Sequence, residues 1–235
     1  MVDNKEIIRT KALEMGFAVA GFAKPEIPIS AQNNLHQYLS ESREAGMDWL
    51  KNTVDLRINP LKIMPNAQTA IVFGVYYGRN VMPTPPGRAS ISIHAQTGRD
   101  YHDVIKSRLK AMGRWMHDNI GGELKVFVDT APIMEKALAV QAGIGWQGRH
   151  SCIVSPKFGS WLFLGVILTE IQCTPDKPMD NLCGNCRLCL DACPTTALEW
   201  PGKINPSRCI AYLTIEEKKE IPDELHRKVG SRIFG

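Results

Sequence analysis

Four cysteines within eleven residues constrain this chain more than any other feature. Cys183, Cys186 and Cys189 stand at C-x2-C-x2-C spacing, and Cys193 follows directly before Pro194. That spacing wraps three thiolates around one face of a cubane [4Fe–4S] cluster. In two-cluster proteins the cysteine before the proline is sent to the neighbouring cluster. Zinc more often takes two short pairs separated by a longer loop, so iron–sulfur is the better match. One such run implies further ligands elsewhere, and the 235 residues contain no second run.

The rest of the composition is that of an ordinary globular protein, with 44% hydrophobic and 22% charged residues. A net charge of +4 permits contact with nucleic acid without arguing for it. The amino terminus has no basic, apolar or twin-arginine export pattern. No apolar run approaches the ~20 residues that span a bilayer. Clustered cysteines of this kind suit a cytoplasmic metal site better than a secreted disulfide framework.

Apolar spacing predicts helices over residues 4–15, 33–43, 101–120 and 134–142. It predicts strands over 17–22, 69–77, 124–128 and 161–171. A loop carrying Pro83, Pro85, Pro86 and Gly87 follows the second strand, and a polar linker from Thr174 leads into the cysteine run. The alternation of strands and helices predicts an α/β (α+β) domain with a mixed sheet and flanking helices over residues 1–172. A partial ferredoxin-like module over 173–235 would follow it.

Three further features carry chemistry. Gly143, Gly145 and Gly148 match the dinucleotide pattern G-x-G-x-x-G, but they follow a predicted helix, whereas that fingerprint follows a strand and opens a helix. A tight turn allowing close backbone approach is the better reading. Asp129 closes an apolar strand, which leaves two roles open: an acid at the mouth of a crevice, or the N-cap of the next helix. Asp100, ahead of Tyr101 and His102, reads as the N-cap of a solvated helix start. Cys152 and Cys173 read as bystander thiols.

Taken together, the chain resembles the epoxyqueuosine reductases along essentially its whole length. The strings that carry the resemblance begin with Met47–Leu50, Arg57-x-x-Pro60, Gly98–His102 and Phe127–Pro132. They continue through Ala142–Gly148, Gly159–Trp161, the cysteine run, Cys209–Glu216 and Gly230–Gly235. The resemblance implies a cobalamin-holding domain and a two-cluster module that together reduce epoxyqueuosine to queuosine in tRNA. A low-potential donor such as ferredoxin or flavodoxin would supply electrons, and the protein would be a cytoplasmic monomer. By the same resemblance Asp129 is the proton donor and, with Asn52, Arg57, Ile153 and Leu164, lies near the corrin. Cys183, Cys186 and Cys189 belong to one cluster, and Cys193 and Cys209 to the other.

Asn52, His94 and Ala211 depart locally from the family's pattern. The larger departure is at Gly235, where the family continues into a second cysteine motif. Five of eight cluster ligands are present by that pattern, so the expectation is that at most one cluster forms and that activity is absent or severely impaired. Two other readings share these features. One is a non-catalytic corrinoid- or cluster-binding fragment, or an electron carrier; the other is a corrinoid reductive dehalogenase, which the missing twin-arginine signal argues against.

Overall fold

The computed structural model describes residues 3–78, 84–85, 87–96 and 98–235. Its helices are α1 (Asn4–Glu14), α2 (Ile29–Ser40), α3 (Trp49–Asn52), α4 (Val54–Arg57), α5 (Tyr101–Asn119), α6 (Glu135–Gln141), α7 (Leu188–Asp191) and α8 (Asp223–Val229). Its strands are β1 (Val19–Ala23), β2 (Thr69–Tyr76), β3 (Ser90–Ile91), β4 (Leu124–Phe127), β5 (Trp146–Gln147), β6 (Ile153–Val154), β7 (Leu162–Thr169), β8 (Leu198–Glu199), β9 (Lys203–Ile204) and β10 (Arg232–Phe234). Of the proline-rich loop, Pro83 and Pro86 lie outside the described residues.

The main sheet has the order β1-β2-β7-β4. Its centre is the pairing of β2 with β7, from Thr69 opposite Thr169 to Tyr76 opposite Leu162. Successive side chains on a strand point to opposite faces. Ile71, Phe73 and Ile167 therefore pack with Ile8 and Ala12 of α1 and with Ile105, Leu109, Met112 and Met116 of α5. Ala70, Val72, Val166 and Leu168 pack on the other face with Leu138 and Ala139 of α6, and with Ile27 and Met64. Helices cover both faces, which is why β2 reads as a continuous apolar run rather than an alternating one.

The expected α/β class is found, and its pairing is distributed in a particular way. Every pairing within the main sheet is antiparallel. The parallel pair is β3 with β10, a separate ribbon. Alternation in sequence fixes the order of elements, but connections as long as residues 24–68 let the next strand return in either direction.

Two element starts differ from the sequence reading by more than one residue. The first strand opens at Val19, because Gly16 (φ 83°) ends α1 and the Phe17 amide still bonds back to the Ala12 carbonyl. Helix α2 opens at Ile29, just after Pro28, whose fixed φ suits a helix entry.

The carboxyl-terminal part has a small core of its own, with Tyr212, Leu213, Leu225 and Val229 packed against Ala45 and Met47. The Gly46 amide donates to the Tyr212 hydroxyl at 2.9 Å. Nearby, the buried Glu44 carboxylate pairs with Lys51. Farther along, β10 returns to pair with β3, and the Ser92 amide donates to the Phe234 carbonyl at 2.9 Å.

The segment entering the cysteine run is tied down before it arrives. Asp176 receives Lys5 Nζ at 2.7 Å, both oxygens bond Arg9 Nη2 at 2.8 Å, and the Phe22 amide donates at 2.9 Å. Cys173 is buried, and burial pushes its thiol up to about 11. Burial acts to raise the Asp176 carboxyl, but the bonds from Lys5, Arg9 and the Phe22 amide outweigh it and hold it below the ordinary value. A carboxyl lowered in the folded state stabilises the fold above its unfolded value, and that contribution is lost as pH falls through the folded one. Asp176→Asn is expected to cost about 1–3 kcal/mol at neutral pH. Urea titrations of both proteins should converge as pH drops below the carboxylate range.

Candidate functional site

The turn after β4 and the first turn of α5 meet at the same end of the sheet. Asp129 follows the buried Val128, and α6 does not open until Glu135, with Met134 at its N-cap position and no side-chain cap. Of the two roles open from sequence, the N-cap is therefore not the one taken. Instead, the Tyr101 hydroxyl donates to Asp129 Oδ2 at 2.6 Å, and His102 Nε2 lies 2.9 Å from Oδ1. Asp100 does cap α5, accepting from the His102 amide at 2.9 Å, and its Oδ1 also lies 2.7 Å from His102 Nδ1. The backbone and ring bonds from His102 hold the Asp100 carboxyl below its ordinary value.

His102 thus stands between two carboxylates, one on each ring nitrogen. A proton carried on that ring has an acceptor at either end. Burial, then the bond to Asp129 and its charge, raise the Tyr101 hydroxyl well above the ordinary phenol range, so it stays a donor. The Tyr101 ring stacks on Phe163 at 4.2 Å and on His102 at 4.0 Å. The helix start read as solvated is in fact the second half of the site. Tyr101 and His102, adjacent in the first turn, reach a strand end 28 residues away, and no local pattern in sequence announces that.

The other candidates distribute unevenly. Ile153 is buried, and Leu164 packs half-buried against the same apolar cluster, along with Phe127, Met134 and Leu162. Along β7, Leu162, Phe163 and Leu164 are half-buried whereas the remaining residues are buried, so the strand opens an apolar end beside Asp129. Arg57 is half-buried, with its guanidinium over the Trp49 ring at 5.0 Å. Burial raises the Glu135 carboxyl, Asp129 adds to the rise, and Lys136 and Arg57 oppose it. Glu135, unmarked in sequence, therefore lies within electrostatic reach of both Asp129 and Arg57. Asn52 ends α3 as an exposed residue.

Among the described residues no three His, Cys, Asp or Glu side chains meet at a single-ion position; a cubane takes each thiolate on a different iron. Donors point at two of the sulfurs, those of Cys183 and Cys193, as suits cluster ligands. Trp146 Nε1 donates to Cys183 Sγ at 3.3 Å. The Thr195 hydroxyl lies 3.7 Å from Cys193 Sγ. Burial works to raise the Cys193 thiol, but bonds from the Thr195 side chain and from the Leu198, Ala197 and Thr195 backbone outweigh it and lower it. Cys209 packs against the core around Tyr212.

Residues 57–130 match the family described as "Epoxyqueuosine reductase QueG, DUF1730". Residues 182–235 match the "4Fe-4S double cluster binding domain". The chain is 34% identical to the epoxyqueuosine reductase of Cellulophaga algicola, covering 99% of this chain and 76% of the relative. It belongs to the epoxyqueuosine reductase family. The family member from Xanthomonas campestris pv. campestris is 36% identical over 97% of this chain and 66% of its own length.

A crystal structure of an epoxyqueuosine reductase with an epoxyqueuosine-modified tRNA stem loop superposes with a TM-score of 0.87 at 31% identity. That match covers 98% of this chain and 62% of the other. The chain therefore spans about two thirds of the length of several family members it matches. Iron–sulfur binding by the segment from residue 182 follows from the family match and fits the donors aimed at Cys183 and Cys193. No helix among the described residues is long and apolar enough to cross a membrane.

Thr195→Val removes one of the hydroxyl and amide donors around Cys193. In cluster-free protein, iodoacetamide should alkylate Cys193 about two- to fivefold more slowly at neutral pH, because less of it is thiolate. Peptide mass spectrometry reads the rate at that cysteine separately from the others.

Proposed function

We propose that this protein reduces epoxyqueuosine to queuosine in tRNA, using cobalamin and [4Fe–4S] clusters. The observation that carries the proposal is the Asp129 carboxylate, held by the Tyr101 hydroxyl and His102 Nε2 at the open apolar end of β7, in a chain of this family. Removing an epoxide oxygen to leave an alkene consumes two electrons and two protons and releases water. Asp129 delivers a proton to the departing oxygen, and His102 resupplies it from the Asp100 side. Tyr101 fixes the carboxylate's orientation, so the donor is in place before substrate arrives.

The fit to cobalamin rests on Leu162, Leu164 and Ile153. Leu162 and Leu164 are half-buried beside the buried Ile153 in one apolar cluster, a surface suited to one face of a flat macrocycle, and Arg57 and Asn52 would hold its edge. Bound cobalamin supplies a strongly reducing, nucleophilic cobalt. Residues 1–172 form the corrin-holding domain and 173–235 the cluster module. Cys183, Cys186 and Cys189 serve one cluster, and Cys193 and Cys209 the other. A ferredoxin- or flavodoxin-like donor delivers the electrons, and the protein works as a cytoplasmic monomer on the anticodon loop.

Asp129→Asn should lower turnover of epoxyqueuosine-containing tRNA by roughly 10²–10⁴-fold, read by nucleoside mass spectrometry, with corrin binding and iron content unchanged. Undiminished turnover would remove Asp129 from the reaction. Cobalamin and iron bound by the unsubstituted protein without any turnover would favour the non-catalytic carrier reading instead.

A further inference from the structure

The glycine turn that resembles a dinucleotide fingerprint has another use. Gly143, with φ 68°, ends α6, and β5 then pairs with β6. A Cβ on Gly145 would lie 2.2 Å from the Val154 carbonyl oxygen, so glycine is what allows the two short strands to close. The closure presents the Trp146 indole to the cysteine run, where its N–H reaches Cys183 Sγ at 3.3 Å. Three residues on, Arg149 donates to the Cys186 carbonyl at 3.0 Å, to the Pro201 carbonyl at 2.9 Å, and to that of Gly184. The Arg149 guanidinium also lies over the Trp200 ring at 3.7 Å. One turn of the amino-terminal domain thus grips the main chain of the cysteine run and touches one of its sulfurs. The cross-strand partner of Gln147 is Ile153, a residue placed above at the corrin floor.

We propose that Trp146 is a positioning residue that raises the reduction potential of the cluster held by Cys183, with Arg149 keeping that sulfur in register with the indole. This rests on the reading of Cys183 as a cluster ligand. Reduction adds negative charge to a cluster and its thiolates. A hydrogen-bond donor on a ligand sulfur therefore stabilises the reduced form more than the oxidised one. Trp146 is also the contact through which the cluster sulfur meets the strand pair carrying Ile153, so one side chain links the two cofactor regions.

The test uses protein reconstituted anaerobically with iron and sulfide, reduced stepwise by dithionite and followed by electron paramagnetic resonance. Trp146→Phe keeps a ring but loses the N–H. The expected result is unchanged iron and sulfide content, with the equilibrium constant for one-electron reduction lowered up to about tenfold, a shift of about 59 mV to more negative potential. An unchanged potential at full occupancy would overturn the proposal. Should the variant lose its cluster, the unsubstituted protein decides by electron–nuclear double resonance after exchange into D₂O. An exchangeable proton coupled to the cluster that disappears on exchange supports the indole bond, and its absence overturns it. Failure of the unsubstituted protein to assemble any cluster would remove the ligand reading and this inference with it.

Discussion

The eight-residue pairing of β2 with β7 is the constraint on which the rest of the structure depends. It divides the residues buried against the sheet into two cores, each sealed by helices, and it leaves one end of β7 only half covered. Asp129 and the two side chains that bond it meet beside that end. Asp129 arrives from the neighbouring strand β4, Tyr101 and His102 from the helix packed on one face, and Ile153 from the turn on the other. Tyr101 and His102 hold the Asp129 carboxylate by direct bonds, so its place does not depend on a ligand.

The sequence was most legible where periodicity is strong. The long helix α5, the strand β2 and the strand β7 stand within a residue or two of where their apolar patterns put them. The boundaries it blurred were those set by single residues, such as Gly16 ending α1 and Pro28 opening α2. The direction of the strands was not legible at all, because an alternating pattern carries order and no sense of direction. For the site, the cysteine run and Asp129 were visible as motifs, whereas Tyr101 and His102 read as a solvent-facing helix start. Their role arises from a contact across 28 positions, and only the folded chain brings those positions together. Glu135 was silent for a similar reason, since its burial depends on what packs over α6.

The glycine turn at 143–148 shows how a short motif misleads and then informs. Its spacing fits a phosphate-binding loop, but the helix that runs into it rules out that geometry. The physical demand behind the pattern, close backbone approach, is nevertheless real. What approaches is a neighbouring strand, and behind it the cysteine run, held by Trp146 and Arg149.

The three-partner bond at Asp176 sets a tether length for the cluster segment. The Met179 amide is bonded to the Val140 carbonyl, so only the residues from 179 to 183 separate a fixed point from the first cysteine. Four residues reach about 14 Å even when fully extended. A cluster on so short a leash does not travel between a donor and an acceptor as a swinging arm would. A cluster held by Cys183 would stay where it is, and a partner that fed it electrons would have to dock close to it.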